Sequence, residues 1–459
     1  MSLDAALARA DDNLDGSLAR LFDLLRLKSI STDPAFKEET AKAAAWLADE
    51  LNGLGFDASV RETAGHPMVV AHHDGPEGAP HVLFYGHYDV QPVDPLELWD
   101  TDPFEPSIAE VDGRKRIRAR GASDDKGQLM TFVEACRAWK ETKGELPLGV
   151  TILFEGEEES GSPSLHPFLE ANAEELKADI ALVCDTSMWN ADTPAITTAL
   201  RGLAGEEFTI HAASRDLHSG YYGGAAQNPI HVVSRILADL HDEDGRVTLR
   251  DFYEGVDEVP DDIAAIWDRL GETTERFLGE IGLRELSGER GRSVLEVTWS
   301  RPTAEVNGVQ GGYAGEGFKT VIPAKASAKV SFRLVGTQDP HKVVEAFHDH
   351  IEKRVPSDCR VTYTPHGRSP ATQLDWELPA LKRASEALSA EWGVETAITG
   401  GGGSIPIVGD FKRMLAMDSL LIGFALSDDA IHSPNEKYEV RSFAKGIRSW
   451  VRVMDALSR

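Results

Sequence analysis

Three short apolar runs, "HVLFY" at residues 81–85, "LGVTILFEG" at 148–156 and "ADIALVCD" at 178–185, limit what this chain can fold into. None alternates apolar with polar residues, so none suits a strand with one wet face. Such runs need cover on both sides. Between the first two lies a helical pattern over 126–140, with Leu129, Met130, Phe132, Val133, Cys136 and Trp139 at its apolar positions. Two more amphipathic helices are predicted over 18–27 and 38–54. Strands that alternate with helices predict an α/β fold, a mixed but largely parallel sheet covered by helices.

The texture changes near Leu200. "AGEEFTIHAAS" alternates like a half-exposed strand and "HVVSRILADLHD" reads as a helix. An acidic stretch over 251–292 follows, expected as helices and loops. Then come "SVLEVTW", "AKASAKVSFRLVG", the helix "PHKVVEAFHDHIEKRV" and "CRVTYTP". This patterning suggests a separate α+β module. Buried patterning returns after about Pro370, with "LPALKRASEALSAEW" and "SLLIGFAL". The expected organisation is one domain, 1–199 and 369–459, interrupted by an inserted one, 200–368. The run "GGGGS" at 400–404 reads as a flexible linker or as a tight turn between "AIT" and "IPIV"; the ordered flanks favour the turn.

The formal net charge of −29 argues against nucleic acid and anionic membranes as partners, since both call for a basic surface. Three scattered cysteines, Cys136, Cys184 and Cys359, supply neither a disulfide framework nor a cysteine zinc motif, which suits the cytoplasm. The acidic first residues lack the apolar core of a signal peptide, and no apolar run is long enough to span a bilayer.

Sites in open α/β sheets are built at strand ends. His87 and Asp89 follow the first run, Glu157, Glu158 and Glu159 the second, Asp185 the third, and His432 follows "LLIGFAL". Asp124 and Asp125 precede the helix that starts near Lys126. Taken singly, each has an ordinary structural reading: a hydrogen-bonded histidine, a helix cap, a solvated turn. Together, histidines and carboxylates at strand ends make the donor set of a divalent ion. With no cysteine among them, zinc, manganese or cobalt fits.

The motifs "GHYDVQP", "RGASDDKG", "EGEEESGS", "CDTS", "RDLHSG", "KTVIP" and "AIHSPNE" occur in the order seen in carnosinase-type dipeptidases, which this chain resembles over nearly its whole length. That dizinc peptidase family also holds succinyl-diaminopimelate desuccinylase, acetylornithine deacetylase and carboxypeptidase G. The resemblance implies a catalytic dizinc domain and an inserted domain that serves as lid and dimerisation module. It implies two divalent metal ions per subunit, zinc first. His87 and Asp185 would hold one, Glu159 and His432 the other, and Asp124 would bridge them. Glu158 matches the general base, which activates a hydroxide shared by the metals. Asp89 matches the acid that fixes the imidazole of His87. His218 matches a histidine that crosses from a partner subunit of a homodimer to stabilise the oxyanion. Thr320, Arg333 and Ser404 match substrate contacts, Arg333 as the clamp on a free carboxylate. From pattern alone, Arg333 is equally an outward-facing residue on a half-exposed strand.

The expected activity is cleavage of amide bonds in small substrates with a free carboxylate, a dipeptide foremost. Deacetylase-type relatives usually carry Glu in place of Asp185 and Asn in place of Thr320, so both positions lean toward the dipeptidases. The alternatives are an N-acyl-amino-acid deacylase or desuccinylase and, in a different class, a catalytically silent metal-bound binding protein.

Overall fold

The computed structural model describes residues 3–279, 281–402 and 405–459. They form two compact units. The first comprises Met1–Thr198, Leu374–Thr399 and Asp410–Arg459, and the second Ala199–Gln373 and Gly400–Gly409. The return to the first unit falls at Leu374, and a short later segment groups with the second.

After a first helix over Leu3–Asp12, the first unit contains helix α1 (Leu14–Leu25), β1 (Asp57–Arg61), β2 (Met68–His73) and β3 (His81–His87). Helix α2 (Lys126–Lys143), β4 (Gly149–Glu155), β5 (Ile180–Val183) and β6 (Ala195–Leu200) follow. The second unit supplies β7 (Gly202–His211), α3 (Pro229–Ala238), β8 (Thr303–Gly311), β9 (Lys325–Leu334), α4 (Pro340–Glu352) and β10 (Arg360–Ser369). The chain then adds β11 (Ser419–Leu421) and the long helix α5 (Val440–Leu457) to the first unit.

The main sheet runs in the order β1-β2-β4-β3-β5-β11-β6, with the short strand Thr372–Gln373 pairing beyond β6. Its centre is parallel: β3 pairs with β4 and β5, and β5 with β11. The flanks, β1 with β2, β2 with β4 and β11 with β6, are antiparallel. The sheet is therefore mixed, and its parallel core coincides with the unalternating apolar runs. Every residue of β4 and β5 is buried. Phe84 on β3 stacks on Phe132 of α2 at 3.8 Å between ring centroids, and Trp450 of α5 meets both rings edge-on at 5.6 and 5.5 Å. Truncating a buried aromatic in such a cluster costs about 3–5 kcal/mol.

Helix α2 is buried along most of its length, and Gly144 ends it with φ +79°. Its start lies hard against the preceding loop. A Cβ on Gly127 would sit 1.8 Å from the Ala122 carbonyl oxygen, so only glycine fits there. Glu134 of α2 accepts hydrogen bonds from Ser17 Oγ at 2.7 Å and Arg20 Nη2 at 2.6 Å, tying α2 to α1.

The second unit holds an antiparallel sheet, β8-β9-β7-β10. Its alternating strands give it one apolar face, where Ala204, Phe208, Phe332 and Leu334 pack against Val232 and Ile236 of α3 and Phe347 and Ile351 of α4. The run "SVLEVTW" does not join it: Glu296–Ser300 form one π-helical turn. There the Ser293 N–H donates to Glu296 Oε2 and Ser293 Oγ accepts from the Glu296 N–H, a local capping that overrides strand propensity.

The α1–α2 tie gives a pH-dependent contribution to stability. Burial works against the Glu134 carboxylate, but the Arg20 hydrogen bond and the charges of Arg137 and Arg20 outweigh it, leaving its pKa lowered. A lowered carboxyl pKa stabilises the fold above the unfolded-state value, and the contribution is lost as pH falls through the folded value. Glu134→Gln is expected to lower the thermal unfolding midpoint by several degrees at pH 7, consistent with about 3–5 kcal/mol for breaking a buried pair. The gap between variant and parent should narrow as the pH is taken below the ordinary carboxylate range, as read by circular dichroism melts.

Candidate metal centre

Parallel neighbours end on the same edge of a sheet, and that edge collects the polar residues that follow β3, β4 and β5. His87 closes β3 and is buried. Asp124 sits in the loop before α2, and the peptide Asp124–Asp125 is cis. Asp185 follows β5, and Glu158 and Glu159 lie in a 3-10 turn after β4. His432 belongs to a late loop and has φ +61°, a left-handed conformation that a histidine adopts only when its surroundings hold it.

Two groups of potential ligands result, His87–Asp124–Asp185 and Asp124–Glu159–His432, with the donor atoms of each group within 4.8 Å of one another. Asp124 is common to both. Its Oδ1 lies 3.0 Å from His87 Nε2 and its Oδ2 lies 2.9 Å from His432 Nε2. Asp185 Oδ2 is 3.9 Å from His87 Nε2, and Glu159 Oε2 is 3.2 Å from His432 Nε2. One carboxylate thus has an imidazole on each oxygen. Nitrogen and oxygen donors without thiolate suit two borderline divalent cations sharing Asp124.

The electrostatics point the same way. Burial disfavours a charged His87, yet its hydrogen bonds to Asp124 and Asp89 raise its pKa well above the ordinary value. His432 is pushed up to about 10 by its hydrogen bonds to Asp124 and Glu159. Asp124 is held below the carboxylate range by the two histidines, against its burial. Burial raises Asp185 well above that range, and the Asp124 and Glu158 charges add to the effect. Glu158 is raised by burial and by Glu159, Asp89 and Asp124. The cluster is an anionic concentration that only protons or cations relieve.

Other residues hold the ligands in place. The Asp89 carboxylate lies 3.3 Å from His87 Nδ1 and accepts from the backbone N–H groups of Glu158 at 3.2 Å and Glu159 at 3.0 Å. It therefore fixes both the imidazole and the acidic turn. Gln91 Nε2 donates to Glu159 Oε2 at 2.6 Å. The strand ends at Glu155, and Glu157 lies beyond it. Glu157 is instead buried as an acceptor for the N–H groups of His66 and Ser164, at 2.7 and 3.0 Å. Glu155 accepts from the Tyr85 hydroxyl at 2.6 Å. Neither is in a ligand group.

Sequence reasoning missed Glu436. Its buried carboxylate accepts from Arg120 Nη1 at 2.8 Å and from the backbone N–H groups of Gly121, Ser123 and Asp124 at 3.0, 2.9 and 3.0 Å. It locks the loop carrying Asp124 to the loop carrying His432. The signal was present in "HSPNEK", where an acid follows a candidate ligand, but its partners lie more than 300 positions away.

The remaining expected site residues belong to the second unit. His218 is exposed, with its Nδ1 accepting from the Gly220 N–H at 3.0 Å. It pairs with Val321 across a two-residue ladder, and the Thr320 carbonyl accepts from the Ser219 N–H, so His218 and Thr320 are neighbours. Arg333 is half-buried on β9. Ser404 lies outside the described residues.

Fold and site together define a metallopeptidase. Residues 83–456 match peptidase family M20/M25/M40, and the chain belongs to that family. It is 30% identical to the Cys-Gly metallodipeptidase dug1 of Schizosaccharomyces pombe, over 98% of this chain and 97% of the relative. It is 27% identical to the human Beta-Ala-His dipeptidase, over 92% of this chain and 85% of the relative. The solved M20 family metallo-carboxypeptidase of Sulfolobus solfataricus superposes with a TM-score of 0.78 at 31% identity, covering 96% of this chain and 99% of that one. The resemblance to carnosinase-type dipeptidases read from the motifs agrees with these relatives.

Glu436 gives the site a test that leaves every potential ligand intact. Glu436→Gln keeps the shape but removes the charge and replaces one acceptor oxygen by a donor. Divalent affinity, measured by competition with a chromogenic chelator, is expected to fall about 10–100-fold, as for other residues that orient ligands. Far-UV circular dichroism should stay unchanged.

Proposed function

We propose that this chain is a dipeptidase that uses two divalent ions, zinc by first preference and manganese or cobalt as fitting substitutes. The observation that carries the reading is Asp124 between His87 and His432, with Glu158 beside them. His87, Asp124 and Asp185 would hold one ion and Asp124, Glu159 and His432 the other. When bound, the ions supply a polarised carbonyl and a water acidified toward neutrality.

The chain's own residues do the rest. Glu158 is the one carboxylate of the turn outside both ligand groups. Its oxygens stay open to a proton, as a general base requires. It takes the proton of the attacking water and delivers it to the departing amine. Asp89 holds the Glu158 backbone and the His87 ring, so base and ligand keep a fixed relation. Arg333 grips the free carboxylate of the substrate, His218 of the partner subunit stabilises the oxyanion, and Thr320 and Ser404 complete the contacts. The names of the relatives, which act on Cys-Gly and β-Ala-His, support a dipeptide over an N-acyl amino acid. The three cysteines are free, in keeping with a cytoplasmic location, and no helix among the described residues is long and apolar enough to cross a membrane.

In this reading the inserted unit, 200–368 by sequence, is the lid and the dimerisation module. Its sheet has two open edges, β8 and β10. Val306 and Val309 of β8 are exposed, as are Tyr221 and Tyr222 next to His218. An unpaired apolar edge is what a twofold partner covers.

Glu158→Gln is expected to keep its metal and lose turnover by about 10²–10⁴-fold or more, since the amide cannot take the proton. The assay is a panel of dipeptides and N-acyl amino acids with zinc- or manganese-loaded protein, with metal content read by atomic emission. Turnover within a few-fold of the parent would remove Glu158 as the base, and a parent that cleaves only N-acyl amino acids would replace the dipeptidase reading.

Complementation tests the dimer. His218→Ala and Glu158→Gln chains, each inactive alone, should regain activity when subunits exchange, because one site of the heterodimer then combines an intact Glu158 with the partner's intact histidine. About half the parental rate per heterodimer is expected from one working site in two. No recovery despite exchange proven by mass would mean that each site uses its own His218.

A further inference from the structure

The inserted unit's sheet has a second face, opposite the one packed by α3 and α4. Register assigns its residues. Phe332 and Leu334 of β9 point into the apolar cluster, as does Ala204 of β7. Their alternates therefore point the other way, and Arg333 lies directly opposite Leu203. Arg201 lies just before β7, two residues from Leu203, and near enough to Arg333 for that charge to act on it.

Neither guanidinium has an anionic partner. Among the described residues, no carboxylate forms an ion pair within 4.0 Å of Arg201 or Arg333. Glu305 acts on Arg201 only at longer range. Arg201 is anchored at its base: its N–H donates to the Gly401 carbonyl and its Nε to the Gly402 carbonyl, both at 3.3 Å. Those bonds leave its terminal nitrogens free to donate. Burial first, and then the charge of Arg333, push the Arg201 pKa down to about 10. Two half-buried like charges this near, with no carboxylate paired to either among the described residues, are unfavourable as they stand. A bound anion removes the conflict. Two planar forks suit a carboxylate, whose two oxygens accept from both.

We propose that Arg201 joins Arg333 in one carboxylate-binding site and is the residue that makes a free carboxy terminus a requirement of the substrate. Arg201 is a specificity residue in this scheme: it donates to the substrate's carboxylate and takes no part in bond cleavage. The identity of the anion as a peptide carboxylate rests on the dipeptidase reading; the anion site itself rests on the arginine pair.

The kinetic test compares cysteinylglycine with its carboxy-terminal amide. Arg201→Met should lower kcat/KM about 10–100-fold on the free acid, mainly through KM, and less than about threefold on the amide. Arg201→Lys, which keeps the charge and loses the fork, should recover part of the loss. The double variant with Arg333→Met should lose less than the product of the single losses, because both grip one group. Equal losses on acid and amide would reduce Arg201 to a support for Gly402, and fully multiplicative losses would separate the two arginines. A second readout needs no turnover. Phenylglyoxal labelling of the whole chain, mapped by peptide mass, should show Arg201 and Arg333 protected together by N-acetylglycine and not by N-acetylglycinamide. Protection in a chain that cleaves no amide would keep the anion site and overturn the dipeptidase reading. Cleavage with Arg201 unprotected would overturn the inference and leave that reading standing.

Discussion

The constraint on which the site depends is the place of Asp124, with an imidazole nitrogen within 3.0 Å of each carboxylate oxygen. It forces two distant segments, the end of β3 and the loop at 432, to meet at one buried group. Everything around it serves that meeting. Glu436 gathers the N–H groups on either side of Ser123 and brings the last loop with it. Asp89 does the same for the acidic turn after β4. Backbone N–H groups do most of this holding, and Arg120 joins them at Glu436. The uncompensated charge is left where cations fit.

The arrangement costs stability locally. Acidic groups are crowded at one sheet edge, and burial makes each harder to ionise. The offset comes from beneath. Phe84, Phe132 and Trp450 pack into one cluster, β4 and β5 are fully buried, and α2 is anchored to α1 through Glu134. A rigid scaffold under a strained site is what precise ligand geometry needs.

The second unit divides its labour by sheet face. One face builds the core with α3 and α4. The other carries Arg333, and Arg201 lies just before β7; among the described residues no carboxylate pairs with either. A face that gave up packing for like charges is shaped for a ligand, as the acidic edge of the first unit is shaped for metal.

Much of this was legible in the sequence. Unalternating apolar runs determined the parallel centre of the sheet, because such strands are stable only when covered on both faces. Residues at the ends of those runs, His87, Asp185 and Glu159, were legible because parallel strands finish on a common edge. Alternation in "AKASAKVSFRLVG" likewise determined a strand with one apolar face. Other features had no local signal. "SVLEVTW" has strand propensity but folds into a turn, since Ser293 and Glu296 cap each other. Glu157 is no ligand, as expected, but its partners, the N–H groups of His66 and Ser164, had no signal in the sequence. Glu436 and Arg201 take their meaning from partners that only the tertiary structure supplies: three N–H groups in a loop far back in the chain, and the nearby charge of a second arginine. Hydrophobic period is a property of neighbours in sequence, so the chain alone determined its layers. Charge balance is a property of neighbours in space, so the fold alone decided which charges are satisfied and which wait for a ligand.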